Sequence, residues 1–179
     1  MAAHPEATAQ PDPTSARLPD ELTAAARAVA SRLIERGDTV AVAESSAGGL
    51  ISAALLSVPG ASAYYLGGAV VYTAAARALL ADLGTPGPPG MRGASEPWAQ
   101  HLATSIAGRL GARWGVSETG ATGPAGNPYG DPPGHAWVAV AGPSGISTQL
   151  VATGINDREA NMVRFALAAL ELLQRSLAA

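Results

Sequence analysis

Neither cysteine nor lysine occurs in the 179 residues. The first absence removes disulfides, thiolate metal sites and cysteine nucleophiles together. The second leaves arginine as the only strongly basic side chain, so any chemistry needing a neutral amine as base must use another group. Charged residues are scarce, at 14%, and aromatic ones scarcer, at 4%. With 47% of residues hydrophobic, the composition is that of a globular chain, because a disordered one carries more charge and less apolar surface. The formal net charge of -3 argues against a nucleic-acid partner, which would require a basic face to displace counterions. No apolar run reaches membrane-spanning length, and no basic-then-apolar leader opens the chain. No membrane partner is therefore expected, and cytoplasmic is the default location.

The length suits one domain with a full core and not two. Residues 1–18 are rich in Ala, Pro, Thr and Gln without apolar periodicity, which predicts a disordered tail ahead of a domain over 19–179. Pro19, Asp20 and Glu21 open a helix whose apolar residues Leu22, Ala25, Ala26, Val29, Leu33 and Ile34 recur at helical spacing until Gly37. Thr39 to Ala43 reads as a buried strand, Gly48 to Val58 as a helix, and Tyr65 to Tyr72 as a strand with a bulge or close approach at Gly67-Gly68. Thr73 to Leu83 is expected to be helical and Gly84 to Gly93 a loop. A helix capped by Ser95 runs to about Ala112, and a strand spans Trp114 to Glu118. Thr119 to Gly134 reads as a long loop, His135 to Ala152 as a hairpin, and Asp157 to Leu177 as a closing helix. This order predicts an α/β fold, a three-layer α/β/α sandwich around a mixed sheet of about five strands with at least one antiparallel. The very apolar last helix is compatible with a homo-oligomer.

Ligands of such sheets collect outside the carboxyl ends of the parallel strands, where three segments would meet. Glu44-Ser45-Ser46-Ala47-Gly48-Gly49 offers hydroxyls, backbone N–H groups and a helix start, a natural cradle for phosphate or a developing oxyanion. The plainer reading makes Ser46 a helix cap and the glycines packing residues. Tyr72 with Arg77 forms the second segment, which on its own reads as a strand-end tyrosine and a solvated arginine. In the third, Thr119-Gly120-Ala121-Thr122-Gly123-Pro124, repeated glycines let a ligand approach the backbone. The three histidines are scattered without metal-ligand spacing, so no metal is expected.

Taken in order, these elements resemble the CinA C-terminal domain family, which includes the nicotinamide-nucleotide amidases. The family's A-E-S-C-T-G-G reads here as Ala43-Glu44-Ser45-Ser46-Ala47-Gly48-Gly49, and its Pro-Gly-x-Ser as Pro59-Gly60-Ala61-Ser62. Its G-x-V-x-Y strand, with a Lys five residues on, is similar to Gly68-Ala69-Val70-Val71-Tyr72 and Arg77. Its G-A-V-S-E looks like Gly93-Ala94-Ser95-Glu96, and T-G-I-A-G-P like Thr119-Gly120-Ala121-Thr122-Gly123-Pro124. P-V-G-T-V-W is similar to Pro132 to Trp137, and G-D-R to Asn156-Asp157-Arg158.

The resemblance implies hydrolysis of the carboxamide of nicotinamide mononucleotide, giving the acid and ammonia with no metal and no cofactor. It implies Ser45 as nucleophile, a base at position 77, and Tyr72 and Thr119 completing the catalytic constellation. Substrate would be bound by Ser46, Gly48, Gly49, Gly120, Gly123 and Arg158, the last on its phosphate. The sequence departs from the family at one telling point. A guanidinium stays protonated far above neutral pH, so Arg77 does not serve as the base that a desolvated Lys supplies. Ser46 replaces the family Cys, and Ala47 removes a further hydroxyl. The alternative expectation is a catalytically impaired member that binds a nucleotide-like ligand or a partner without turnover.

Overall fold

The computed structural model describes residues 17–76 and 91–179. Helix α1 (Asp20–Arg36) leads into β1 (Val40–Glu44), α2 (Leu50–Leu56), a single 3-10 turn (Ala61–Ala63) and β2 (Tyr65–Val70). After residue 90 come α3 (Glu96–Leu110), β3 (Trp114–Ala121), the hairpin β4 (His135–Gly142) and β5 (Gly145–Ala152), and α4 (Arg158–Ser176). The strands form one five-stranded sheet in the order β2-β1-β3-β4-β5. β1 runs parallel to β2 and β3, whereas β3–β4 and β4–β5 are antiparallel. This is the mixed α/β sandwich that the sequence predicts.

Local chemistry explains the elements. Gly37 ends α1 in the left-handed conformation at φ 63°, its N–H donating to Ile34 O at 3.1 Å. Asp157 caps α4 by accepting from Ala160 N at 3.1 Å. β1 is buried along its whole length because helices cover both faces of the parallel part of the sheet. One face carries α1, α2 and α4 around the larger core, with Leu33, Val42, Ile51, Val116, Leu170 and Leu173 fully buried. Tyr64 joins that core, its phenol donating to Leu55 O at 2.6 Å. Among the described elements, α3 covers the opposite face, where Ala41, Ala43, Ala99, Ala103, Ala139 and Ala141 keep the helix close to the sheet.

Several expectations shift by a few residues. Ile34 lies outside the buried stripe of α1 and is 51% exposed. β3 continues to Ala121, because Thr119, Gly120 and Ala121 pair with Trp137, Ala136 and His135 of β4, a ladder their loop-like composition does not announce. α2 starts at Leu50 and not Gly48, since Gly48 and Gly49 adopt φ 69° and 100°. Ser95 precedes α3 without capping it, and its hydroxyl instead donates to Arg92 O at 2.7 Å. The β1–β2 register slips between Val40 and Ala41, and a Cβ at Gly68 would press on Tyr65, Ser52 and the Val42 carbonyl. Leu18, assigned to the tail, packs on the core. The rest of that tail before residue 17, the helix expected beyond residue 76, the loop before residue 91 and Arg77 lie outside the described residues.

Candidate functional site

The β1–α2 turn folds around two of the protein's own carboxylates. Glu44, the last residue of β1, and Glu118 of β3 lie one step beyond the Ala43–Ser117 pair that ends the parallel ladder, and are 1% and 0% exposed. Glu44 Oε2 accepts from Gly49 N and Ile51 N, both at 3.0 Å. Its Oε1 accepts from Ser52 N at 2.9 Å and Ser52 Oγ at 2.6 Å. The helix start that could have cradled a substrate anion is therefore capped from within by Glu44. Glu118 holds the other half of the turn. Its Oε2 accepts from Ser45 N at 3.1 Å and Ala47 N at 2.7 Å, and its Oε1 accepts from the Ser46 hydroxyl.

Ser45 consequently sits half-buried on a turn fixed from behind, while Ser46 is only 3% exposed and its side chain turns inward to Glu118. Burial pushes the Glu118 carboxyl up to about 7, with the neighbouring Glu44 charge adding to the rise. The hydrogen bonds from Ser46, Ala47 and Ser45 oppose that rise without cancelling it.

The remaining expected residues fall into two groups. Tyr72, Arg158 and Gly123 come together: Arg158 donates through Nη2 to the Tyr72 phenol at 3.2 Å and through Nη1 to Gly123 O at 2.9 Å. The guanidinium carbon also lies 6.0 Å from the Tyr72 ring centroid. Both side chains are exposed, so cation and phenol face outward. Gly48 belongs to the same region, since a Cβ there would come within 2.8 Å of Met162 Cε, one turn along α4 from Arg158.

Thr119 and Gly120 face inward instead. Thr119 is buried and accepts from Ala94 N at 3.1 Å, pinning the segment that precedes α3. A Cβ on Gly120 would lie 2.5 Å from Ala136 Cβ, so its lack of a side chain serves the β3–β4 approach. Gly123, at φ 101°, is the position of this loop that calls for glycine by conformation.

Three further residues build the site, and sequence reasoning did not single them out. Glu118 carried one signal, an acidic residue in a strand buried almost throughout, where a carboxylate needs dedicated donors, but the sequence does not say which donors those are. Asn161, wholly buried in α4, donates to Thr122 O at 2.8 Å and Ile155 O at 2.7 Å, joining the 122–124 loop to the approach to α4. Asp131 ties the long loop back to Arg92, accepting from Nη2 at 3.1 Å and from a second guanidinium N–H. The Arg92 hydrogen bonds hold the Asp131 carboxyl below the usual range. Among the described residues no group of three or more His, Asp or Glu could hold a metal ion. None of the described helices is long and apolar enough to cross a membrane.

A covered mixed sheet with a hydroxyl-bearing turn at its parallel carboxyl edge defines an α/β protein whose candidate site lies at the edge where such sheets collect ligands. The chain belongs to the CinA C-terminal domain family, whose model matches residues 22–177. It is 38% identical over 130 residues to a CinA-like protein of Prochlorococcus marinus, covering 73% of this chain and 30% of that protein. A CinA-like protein of Anaeromyxobacter (strain K) is 42% identical over 152 residues, covering 83% of this chain and 36% of its own length. The chain thus spans about a third of the curated relatives it matches. The competence/damage inducible protein CihA of Agrobacterium tumefaciens superposes with a TM-score of 0.82 at 28% identity, over 92% of this chain and 99% of its own. A CinA superfamily protein of Klebsiella pneumoniae gives 0.80 at 29%, over 88% and 98%.

Proposed function

We propose that this chain is an amidohydrolase of the nicotinamide-nucleotide type, cleaving the carboxamide of nicotinamide mononucleotide to the acid and ammonia. The observation that carries the reading is the fixed Ser45 turn. Its backbone is pinned by Glu118, and Ser45 is the turn's half-exposed serine while Ser46 is buried. Nucleophilic catalysis requires such a placed hydroxyl. The phosphate falls to Arg158, because the backbone donors of the turn that would otherwise take it are spent on Glu44 and Glu118. Tyr72 orients that guanidinium by accepting from it. A second reading, binding without turnover, draws on Arg77, whose guanidinium cannot take the serine proton.

Ammonia release from nicotinamide mononucleotide by the purified protein separates the two. The wild type is expected to turn over and Ser45→Ala to lose at least about 100-fold in kcat. An inert wild type that gains activity as Arg77→Lys would overturn the amidase reading in favour of the binding one. Undiminished turnover by Ser45→Ala would remove Ser45 as the nucleophile.

A further inference from the structure

The amidase reading leaves a proton without a destination. A serine hydroxyl that bonds to a carboxamide carbon must give its proton up, and position 77 offers a guanidinium that is already protonated. The two buried carboxylates beneath the turn differ in their ability to take it. Glu44 is committed on both oxygens to the start of α2, with three backbone N–H groups and the Ser52 hydroxyl as donors. Glu118 takes backbone donors on one oxygen only. Oε2 meets two backbone N–H groups, which donate and cannot accept, whereas Oε1 meets the Ser46 hydroxyl. A hydroxyl does both. Among the described residues, Ser46 is thus the one partner of Glu118 through which a proton can enter, since it can hand its own proton to Oε1 and take another in exchange.

We propose that Glu118 is the proton acceptor of this site, acting through the Ser46 hydroxyl. The inference rests on the amidase reading and supplies the base that Arg77 does not. As the Ser45 oxygen bonds to the carboxamide carbon, its proton passes to Ser46 Oγ and the Ser46 proton passes to Glu118 Oε1. When the C–N bond breaks, the proton returns by the same route to the departing nitrogen, which leaves as ammonia. Water then attacks the acyl-serine, its proton follows the same path out and back, and the Ser45 hydroxyl is restored. Glu118 touches no reacting atom, so it is a positioning and proton-holding residue and not a nucleophile.

The surroundings suit that role. Burial and the Glu44 charge raise the Glu118 carboxyl to about 7, close to the pH at which a general base works best. Among the described residues, no element packed on its side of the sheet carries a buried cation to undo this. α2 has no ionisable residue, β4 presents Val138 opposite, and the ionisable residues of α4 (Arg158, Glu159, Arg164, Glu171 and Arg175) are all exposed.

The test is the pH dependence of ammonia release from nicotinamide mononucleotide between about pH 5 and pH 9, read together with the infrared carboxyl band. In the wild type, kcat should rise along a limb centred near 7. Glu118→Gln should lose about 100-fold or more in kcat with little change in KM, and should lose that limb. Ser46→Ala should behave alike, and Glu118→Asp should recover part of the rate with the limb restored. A folded Glu118→Gln that keeps wild-type kcat, or the same limb, overturns the inference and leaves the amidase reading standing. A wild type inert toward this nucleotide overturns the reading, and the infrared titration then decides alone. A protonated-carboxyl band that fades as pH rises through about 7, is missing in Glu118→Gln and shifts in Ser46→Ala upholds the exchanging pair. Its absence from the wild type sinks it.

Discussion

A fully buried carboxylate without a cation costs stability once it ionises, and Glu118 is in that position among the described residues. Unfolded, it would ionise near its ordinary 4.5; folded, it does so near 7. Between those values the folded state binds more protons than the unfolded one, so stability is greatest below the lower value and falls as pH rises through the upper. The loss is on the order of 3 kcal/mol. Asp38 and Asp131 act in a different window. Burial would raise Asp38, but Arg36, the Trp114 indole N–H and Arg113 hold it low, and Arg92 does the same for Asp131. Their contributions are present above their unfolded values and disappear only as pH falls below about 4. Thermal unfolding of the wild type should therefore show a falling melting temperature from about pH 5 to about pH 8, with a flatter profile in Glu118→Gln. Parallel profiles in the two proteins would mean that Glu118 does not carry this titration.

At the scale of elements, α2 shows how a short helix can be held by its approach more than by its own propensity. Seven residues make a marginal helix, and Glu44 offsets this by occupying N–H groups of its first turn. The chain reaches that geometry only by passing through Gly49 at φ 100°. A Cβ at Gly49 would find Val70 Cγ2 at 3.7 Å, an ordinary contact, so the cost of Gly49→Ala lies in the backbone and in the Glu44 bond that Gly49 N–H makes. It should lower stability in urea by about 1–2 kcal/mol. Gly37→Ala, at φ 63° with open space and no carboxylate to displace, should cost less; equal losses would show that the Glu44 cap contributes nothing. The two glycines also mark what was legible. Gly37 follows a periodic apolar helix and Asp157 precedes one, so both caps can be read from spacing. The Glu44 cap cannot, because the acceptor lies on the preceding strand and its donors lie five to eight residues on, a contact created by the turn itself. Glu118 was hidden more deeply, 73 residues from the amide of Ser45 that it receives. The turn was locatable as a candidate site, but its internal wiring was not. The free anion cradle expected there is the part that packing overrode.

Across the whole molecule, the two faces of the sheet are built on different principles, and the site depends on both. Large side chains fill the face under α1, α2 and α4, whereas α3 is seated by alanines and by Gly115 of β3. A Cβ at Gly115 would run into the Ala103 carbonyl and come within 2.9 Å of Ala107 Cβ, so the helix backbone itself must yield. Lifting α3 would be felt at the far end of β3. The segment leading into the helix is fastened there by Ala94 N–H donating to Thr119 Oγ1 and by His135 Nε2 against Ala94 O, both at 3.1 Å. Gly115→Ala should therefore destabilise the protein by about 1–3 kcal/mol, the cost of overpacking, and also speed amide exchange at Ala94 beyond what global destabilisation explains. Gly111→Ala is the comparison, since its Cβ would meet nothing within 4 Å and only its φ of 65° is strained. It should cost about 1 kcal/mol while leaving Ala94 protected in proportion. If Ala94 exchanges alike in the two variants, α3 is not the lever that holds the Thr119 side of the site. If only Gly115→Ala loosens it, the spacing between α3 and the sheet is part of what positions the turn-bearing edge.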